Sequence, residues 1–206
     1  VVNLTPGSYS SVGKITSGAA AWANLTTSFD AIIENVIGSA GADTLQGNLA
    51  NNRFTPGGGD DTVDGGDGID TVVLSGARDT YTVTVAGITT TVRANSGTEG
   101  TDTLTSIERL KFTGTSVALD INGNAGQAYR IYKAALDRVP DVKGLGDWIY
   151  ALDSGLNTLK QVAQGFINSP EFQDKYGANS SDQTFITLLY NNVLKRSPDP
   201  GGFRDW

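Results

Sequence analysis

The chain has 206 residues, 26 of them glycine, with 22 acidic against 15 basic side chains and a net charge of −7. It has no cysteine and no histidine, which excludes disulfides, thiolate chemistry, histidine general bases and the imidazole ligands of transition metals. Only oxygen donors remain, and these suit hard cations such as Ca²⁺ and Mg²⁺. The acidity speaks against nucleic acid, whose phosphates need a basic patch. It is also one-sided: residues 1–122 carry 13 acidic and 6 basic side chains, residues 123–206 carry 9 of each. No run of about 18 apolar residues suggests a transmembrane helix. With no methionine and no signal-peptide pattern at the start, the natural polypeptide is expected to begin before Val1.

Residues 1–37 are expected to form a β flank. They end in "SFDAIIENVIG", where Ile-Glu is followed by apolar residues at alternate positions. The same pattern returns in "DTLTSIERLKF" (102–112). Glu34 and Glu108 are expected to be structural, accepting backbone N–H groups.

From Gly38 the chain divides into nonapeptides: "GSAGADTLQ", "GNLANNRFT", "PGGGDDTVD" and "GGDGIDTVV". The sixth position reads Asp43, Asn52, Asp61, Asp70, and the eighth Leu45, Phe54, Val63, Val72. Steps of nine in either direction add Val36 before, and Asp79 and Tyr81 after. A disordered glycine-rich linker has no reason to place a large apolar residue at every ninth position.

These units resemble the G-G-x-G-x-D-x-U-x nonapeptide of the RTX (haemolysin-type) calcium-binding proteins. "GGDGIDTVV" matches every defined position and "PGGGDDTVD" all but the first, while "GNLANNRFT" is degenerate. The resemblance implies a parallel β-roll over 38–75, in which each nonapeptide supplies a glycine turn and a short strand. Turns on one side then recur every 18 residues, placing Asp43 above Asp61 with Asp79 as the next candidate, and Asn52 above Asp70. Stacked carboxylates repel without a cation. We therefore expect Ca²⁺ between turns, with Asp43, Asp61, Asp70, Asn52, Asp79 and the turn glycines Gly41, Gly57, Gly59, Gly66 and Gly68 as candidate metal-site residues. Asp60, Asp64 and Asp67 fall at other positions and read as solvated charge.

Residues 76–122 are expected to form a β cap over the roll, because an uncovered sheet edge invites aggregation. In "DTYTVTVAGITTTVR" the alternation of Tyr81, Val83 and Val85 with threonines reads as a strand, a turn at Gly87 and a second strand.

Residues 123–206 change character. "AYRIYKAALDRVPDVKGLGDW" (128–148) recurs as "ITLLYNNVLKRSPDPGGFRDW" (186–206), an offset of 58. Apolar spacing, Ser169-Pro170 and a Ser180–Gln183 capping box predict helices near 125–138, 144–154, 158–168, 170–176 and 182–195. This half resembles an uncharacterised helical family with Y-x-x-x-L-x-R-x-P-D-x-x-G-x-x-x-W repeats and an intervening F-x-x-S-x-E-F, found in bacterial secreted and S-layer proteins. Its second repeat is expected to be incomplete. Arg138, Asp141 and Trp148 admit two readings: a sugar-binding constellation, or a turn in which Arg138 pairs with Asp141 while Trp148 packs beneath the first helix.

The fold class expected is α+β in separate domains, a parallel β-roll with a β cap followed by a small all-α domain. No catalytic constellation is expected. The functional expectation is a secreted, calcium-ordered structural or surface protein: an S-layer, matrix or adhesin component exported by type I secretion. Its partners would be calcium, itself or a surface polysaccharide. The alternatives are the non-catalytic region of a type I-secreted enzyme, or a carbohydrate-binding adhesion module.

Overall fold

The computed structural model describes residues 1–10, 25–26, 32–178 and 181–204. The chain forms two compact units, 1–119 and 120–206.

The first unit is a parallel β-roll. Its strands alternate between two sheets as the chain advances. β4 (Asn35–Ile37), β6 (Arg53–Thr55) and β8 (Thr71–Val73) lie in one sheet, and β5 (Thr44–Asn48) and β7 (Thr62–Gly66) in the other. Registers advance by 18: Leu45 pairs with Val63, Val36 with Phe54, and Phe54 with Val72. In a strand, alternate side chains face opposite ways, so the eighth-position residues all point between the sheets. Val36, Leu45, Phe54, Val63 and Val72 are accordingly buried in one continuous core.

β1 (Val2–Asn3) of the flank and the strands of the cap extend these same two sheets. β1 pairs with β5, β11 (Thr101–Thr105) with β7, and β12 (Arg109–Phe112) with β8, all in parallel. Leu104 and Leu110 continue the two buried columns. The hairpin of β9 (Tyr81–Ala86) and β10 (Thr89–Ala94) turns at Gly87, where φ is +63°, and continues the sheet beyond β11. β13 (Thr115–Ala118) closes the other sheet antiparallel to β12. A short antiparallel pair joins β2 (Tyr9–Ser10) to β3 (Leu25–Thr26). Most of "SFDAII" lies outside the described residues. Tyr81, expected to continue the nonapeptide period, instead starts β9 and packs on Phe112 at 5.4 Å between ring centroids.

The second unit is helical: α1 (Asn124–Leu136), α2 (Val142–Asp153), α3 (Leu159–Ile167), α4 (Pro170–Tyr176), α5 (Asp182–Leu194) and α6 (Pro200–Arg204). Start signals act as helix caps do. Asp141 accepts the Gly144 N–H, Thr158 and Gln161 form a capping box, and Ser169 accepts the Phe172 N–H ahead of Pro170. Ser180 lies outside the described residues, and the cap of α5 is Ser181, which accepts the Thr184 N–H. α1 and α5 both end in a left-handed residue, Asp137 (φ +52°) and Lys195 (φ +53°), 58 positions apart. The core gathers Tyr132, Leu136, Val162, Phe166, Phe172 and Tyr176.

Candidate metal centre

The turns of the roll are built by glycines at the second and fourth nonapeptide positions. Gly57, Gly59, Gly66 and Gly68 take φ between +90° and +116°, a region L side chains avoid. Gly41 takes no positive φ, and a Cβ there would meet open space. Its turn therefore does not require glycine.

Sixth-position side chains form two ladders. On one side the Asp43 N–H donates to Asp61 Oδ1 (2.7 Å) and the Asp61 N–H to Asp102 Oδ1 (3.2 Å). On the other, the Asn52 N–H donates to Asp70 Oδ1 (2.7 Å) and the Asp70 N–H to Glu108 Oε2 (2.8 Å). Asp102, not Asp79, is thus the residue stacked after Asp61. Asp79 is exposed in a 3-10 turn over Arg78–Thr80, because the chain leaves the roll before reaching it. Glu108 accepts a backbone N–H, as expected of it.

The remaining oxygens differ sharply. Asp43 Oδ2 is satisfied within its own turn by the Ser39 N–H (2.7 Å) and hydroxyl (2.9 Å). Asn52 also spends both amide atoms locally. Its Oδ1 accepts the Asn48 N–H, and its Nδ2 donates to the Ile33 carbonyl (3.1 Å). Asn52 thus presents a satisfied neutral amide where Asp70, next in its ladder, presents a carboxylate. Asp61 Oδ2 and Asp70 Oδ2, by contrast, are buried with no hydrogen-bond partner. An unpartnered carboxylate oxygen in a dry interior is expensive.

Burial therefore pushes the Asp70 carboxyl up to about 7, against the hydrogen bond from Asn52 and with the added repulsion of Glu108. Burial likewise takes Asp102 to about 7, aided by the charges of Asp61 and Glu99. Asp61 is raised for the same first reason, with Asp43 contributing repulsion. Asp61, Asp70 and Asp102 thus favour protonation more than an exposed carboxyl does; a nearby divalent cation would oppose that preference.

At two turns the backbone of the next coil comes close to one of these carboxylates. A Cβ on Gly65 would fall 2.0 Å from the Ser106 carbonyl oxygen and 2.5 Å from Asp70 Oδ2. A Cβ on Gly38 would meet the Pro56 carbonyl oxygen at 2.0 Å and Asp43 Oδ2 at 3.0 Å. Only glycine fits where a carboxylate and the next turn's carbonyl converge. Among the described residues no three acidic groups gather as a metal cluster. Carboxylate oxygens together with backbone carbonyls would make a donor set suited to Ca²⁺.

Residues 36–72 match the RTX calcium-binding nonapeptide repeat (4 copies). Residues 36–72 thus carry RTX calcium-binding repeats. RTX repeats bind Ca²⁺, and proteins that carry them are typically secreted. Residues 124–174 and 163–206 match, as two overlapping copies, the domain of unknown function DUF4214. A search of curated proteins finds no match to the chain. Among the described residues no helix is long and apolar enough to cross a membrane.

In the helical unit that follows the RTX module, Arg138, Asp141 and Trp148 come together around structural tasks. The Arg138 guanidinium lies over the Tyr132 ring at 5.2 Å and holds Glu171 with two bonds of 2.6 and 2.9 Å. Those bonds lower the Glu171 carboxyl and raise the guanidinium. Asp141 is 3.7 Å from Arg138, caps α2 and accepts the Tyr132 hydroxyl. Trp148 stacks on Phe166 at 5.4 Å, over Gly165, where a Cβ would sit 2.8 Å from the indole. The second copy repeats the core of this, with Arg196 over Tyr190 at 5.2 Å and 3.0 Å from Asp199. F-x-x-S-x-E-F is explained by the same contacts: Phe166 and Phe172 fill the core, Ser169 caps α4 and Glu171 grips Arg138.

Proposed function

We propose that the chain is part of a secreted structural or surface protein, a component of an S-layer, extracellular matrix or adhesin, in which the RTX module folds only where calcium is plentiful. One observation carries this reading: Asp61 Oδ2 and Asp70 Oδ2 are buried without partners, so folding is conditional on a cation. A chain of this kind stays unfolded where calcium is scarce, as passage through a type I secretion channel requires, and orders outside the cell. Asp61 and Asp70 are the carboxylates that hold the ions in this reading, with backbone carbonyls completing the shell. The role is binding and ordering without catalysis. The self-contained contacts of Arg138, Asp141 and Trp148 favour self-association over polysaccharide binding as the way the protein assembles.

Light scattering of the chain in EGTA and then in millimolar Ca²⁺ tests the proposal. Growth into large particles only with calcium supports a lattice or matrix role. A compact monomer in calcium at all concentrations would overturn it and point to an appended module of a secreted enzyme.

A further inference from the structure

We propose that residues 97–105, "GTEGTDTLT", are a fifth RTX nonapeptide, cut off from the first four by an inserted hairpin, and that a Ca²⁺ ion binds between it and the turn 56–61. The matched repeats stop at residue 72. This inference rests on calcium binding by the RTX module.

The strand pairing shows the continuation. β5 and β7 are 18 residues apart in register (Leu45 with Val63), while β7 and β11 are 41 apart (Val63 with Leu104). The difference of 23 equals the segment 74–96, which carries the β9–β10 hairpin. With that segment set aside, Gly97, Gly100, Asp102 and Leu104 fall at positions one, four, six and eight of the motif. Strand alternation between the two sheets also resumes, with β11 in one and β12 in the other.

Hydrogen bonds repeat in the same register. At position five, Asn51 accepts the Ile69 N–H (2.9 Å) and Asp60 accepts the Thr101 N–H (2.7 Å). At position six, Asp43–Asp61 is followed by Asp61–Asp102. The carbonyls of Ser39 and Thr98, both at position two, each accept an N–H from the turn 56–61 at 2.9 Å. Gly100 takes φ +70° where Gly59 takes +101°. Position two is the departure, with Thr98 in place of glycine.

The unpartnered Oδ2 of Asp61, a residue only 1 % exposed, is the observation that calls for an ion at this step of the ladder. In the neighbouring ladder Asp70 Oδ2 shares its space with the carbonyl of Ser106, at position one of the next turn. Gly97 is the residue at that register above Asp61. Asp61 is the ligand, and Asp102 is the positioning residue that fixes the Asp61 backbone and adds its charge. Glu99, at position three, bonds both Ser75 and Tyr81, the points where the chain leaves for the hairpin. Ion binding here therefore orders the insertion as well.

The test is a calcium titration of the whole chain by calorimetry, comparing wild type, Asp102→Asn and Asp67→Asn, with hydrogen exchange of the wild type in calcium and EGTA. Asparagine can still accept the Asp61 N–H, so Asp102→Asn should fold yet lose one ion or weaken it at least about tenfold, while Asp67→Asn changes nothing. In the wild type, calcium should protect the amides of 97–105 together with 56–61. Calcium protection confined to 36–72, or an Asp102→Asn titration identical to wild type, would overturn the fifth repeat while leaving the RTX reading intact. Absence of any binding by the wild type would instead overturn calcium binding itself.

Discussion

Both units are built on an internal repeat, but the repeat lengths differ, and with them the means of stability. In the RTX module a period of 9 stacks like on like: valine on leucine in the core, carboxylate on carboxylate in the turns. Translation brings each acidic group against its own copy, so no counter-charge can arise from within the repeat. In the helical unit a period of 58 is long enough for charged groups to meet complements within the fold. Arg138 has Glu171 and Tyr132, Arg196 has Asp199 and Tyr190, and even the two helix ends pair, Lys195 with Asp137 at 2.9 Å. A short repeat imports its counter-ion; a long one carries it.

This contrast breaks down in a definite order. Phe54→Ala, at the centre of the roll core, should destabilise the RTX module by about 3–5 kcal/mol even in saturating calcium. Phe166→Ala should cost the helical unit a similar amount irrespective of calcium. Thermal unfolding of both variants with and without calcium would show whether the units fail separately.

Asp70→Asn sharpens the comparison through a change of sign. In calcium it should weaken ion binding. In calcium-free solution it should stabilise the roll by about 1–3 kcal/mol, since a buried orphan oxygen becomes an amide donor. Asn52 already behaves this way toward the Ile33 carbonyl. The folded fraction of the roll in EGTA, followed by circular dichroism, reads the effect, and a smaller fraction than in wild type would contradict it.

The pH dependence follows from the raised carboxyls. Asp70 and Asp102 are held near 7 in the calcium-free folded state, above the ordinary 3.8. The folded roll therefore binds more protons than the unfolded chain between those values, and its calcium-free stability falls as pH rises from about 4 through 7. Calcium affinity runs the opposite way and weakens as pH drops through 7. Urea midpoints in calcium-free buffers across this range should show the decline for residues 1–119 only. Smallest of all, Lys195→Ala removes an exposed ion pair and should leave the thermal midpoint of the helical unit nearly unchanged.

Much of this was legible in the sequence. The ninth-residue periodicity marked Leu45, Phe54, Val63 and Val72 as one buried column set, and the 58-residue offset located helix ends to within about two residues. The missed features share a cause: counting by nine carries the eye into an insertion. It led to Asp79 and Tyr81, which belong to the hairpin, and past Asp102, although "GTEGTDTLT" bears the same motif as "GSAGADTLQ". The different fates of the sixth-position groups were not legible either. Whether Asp43 is satisfied by Ser39, or Asn52 by Asn48, depends on turn geometry that composition does not encode.

Differential scanning calorimetry of the whole chain above pH 7, in millimolar calcium and then in EGTA, bears most directly on the claim that calcium holds the roll together. The account predicts two transitions in calcium. In EGTA the roll transition should vanish or fall far in temperature, while the helical transition stays in place. A roll transition unmoved by EGTA would mean that the buried carboxylates of Asp61 and Asp70 need no cation, and would contradict the account at its centre.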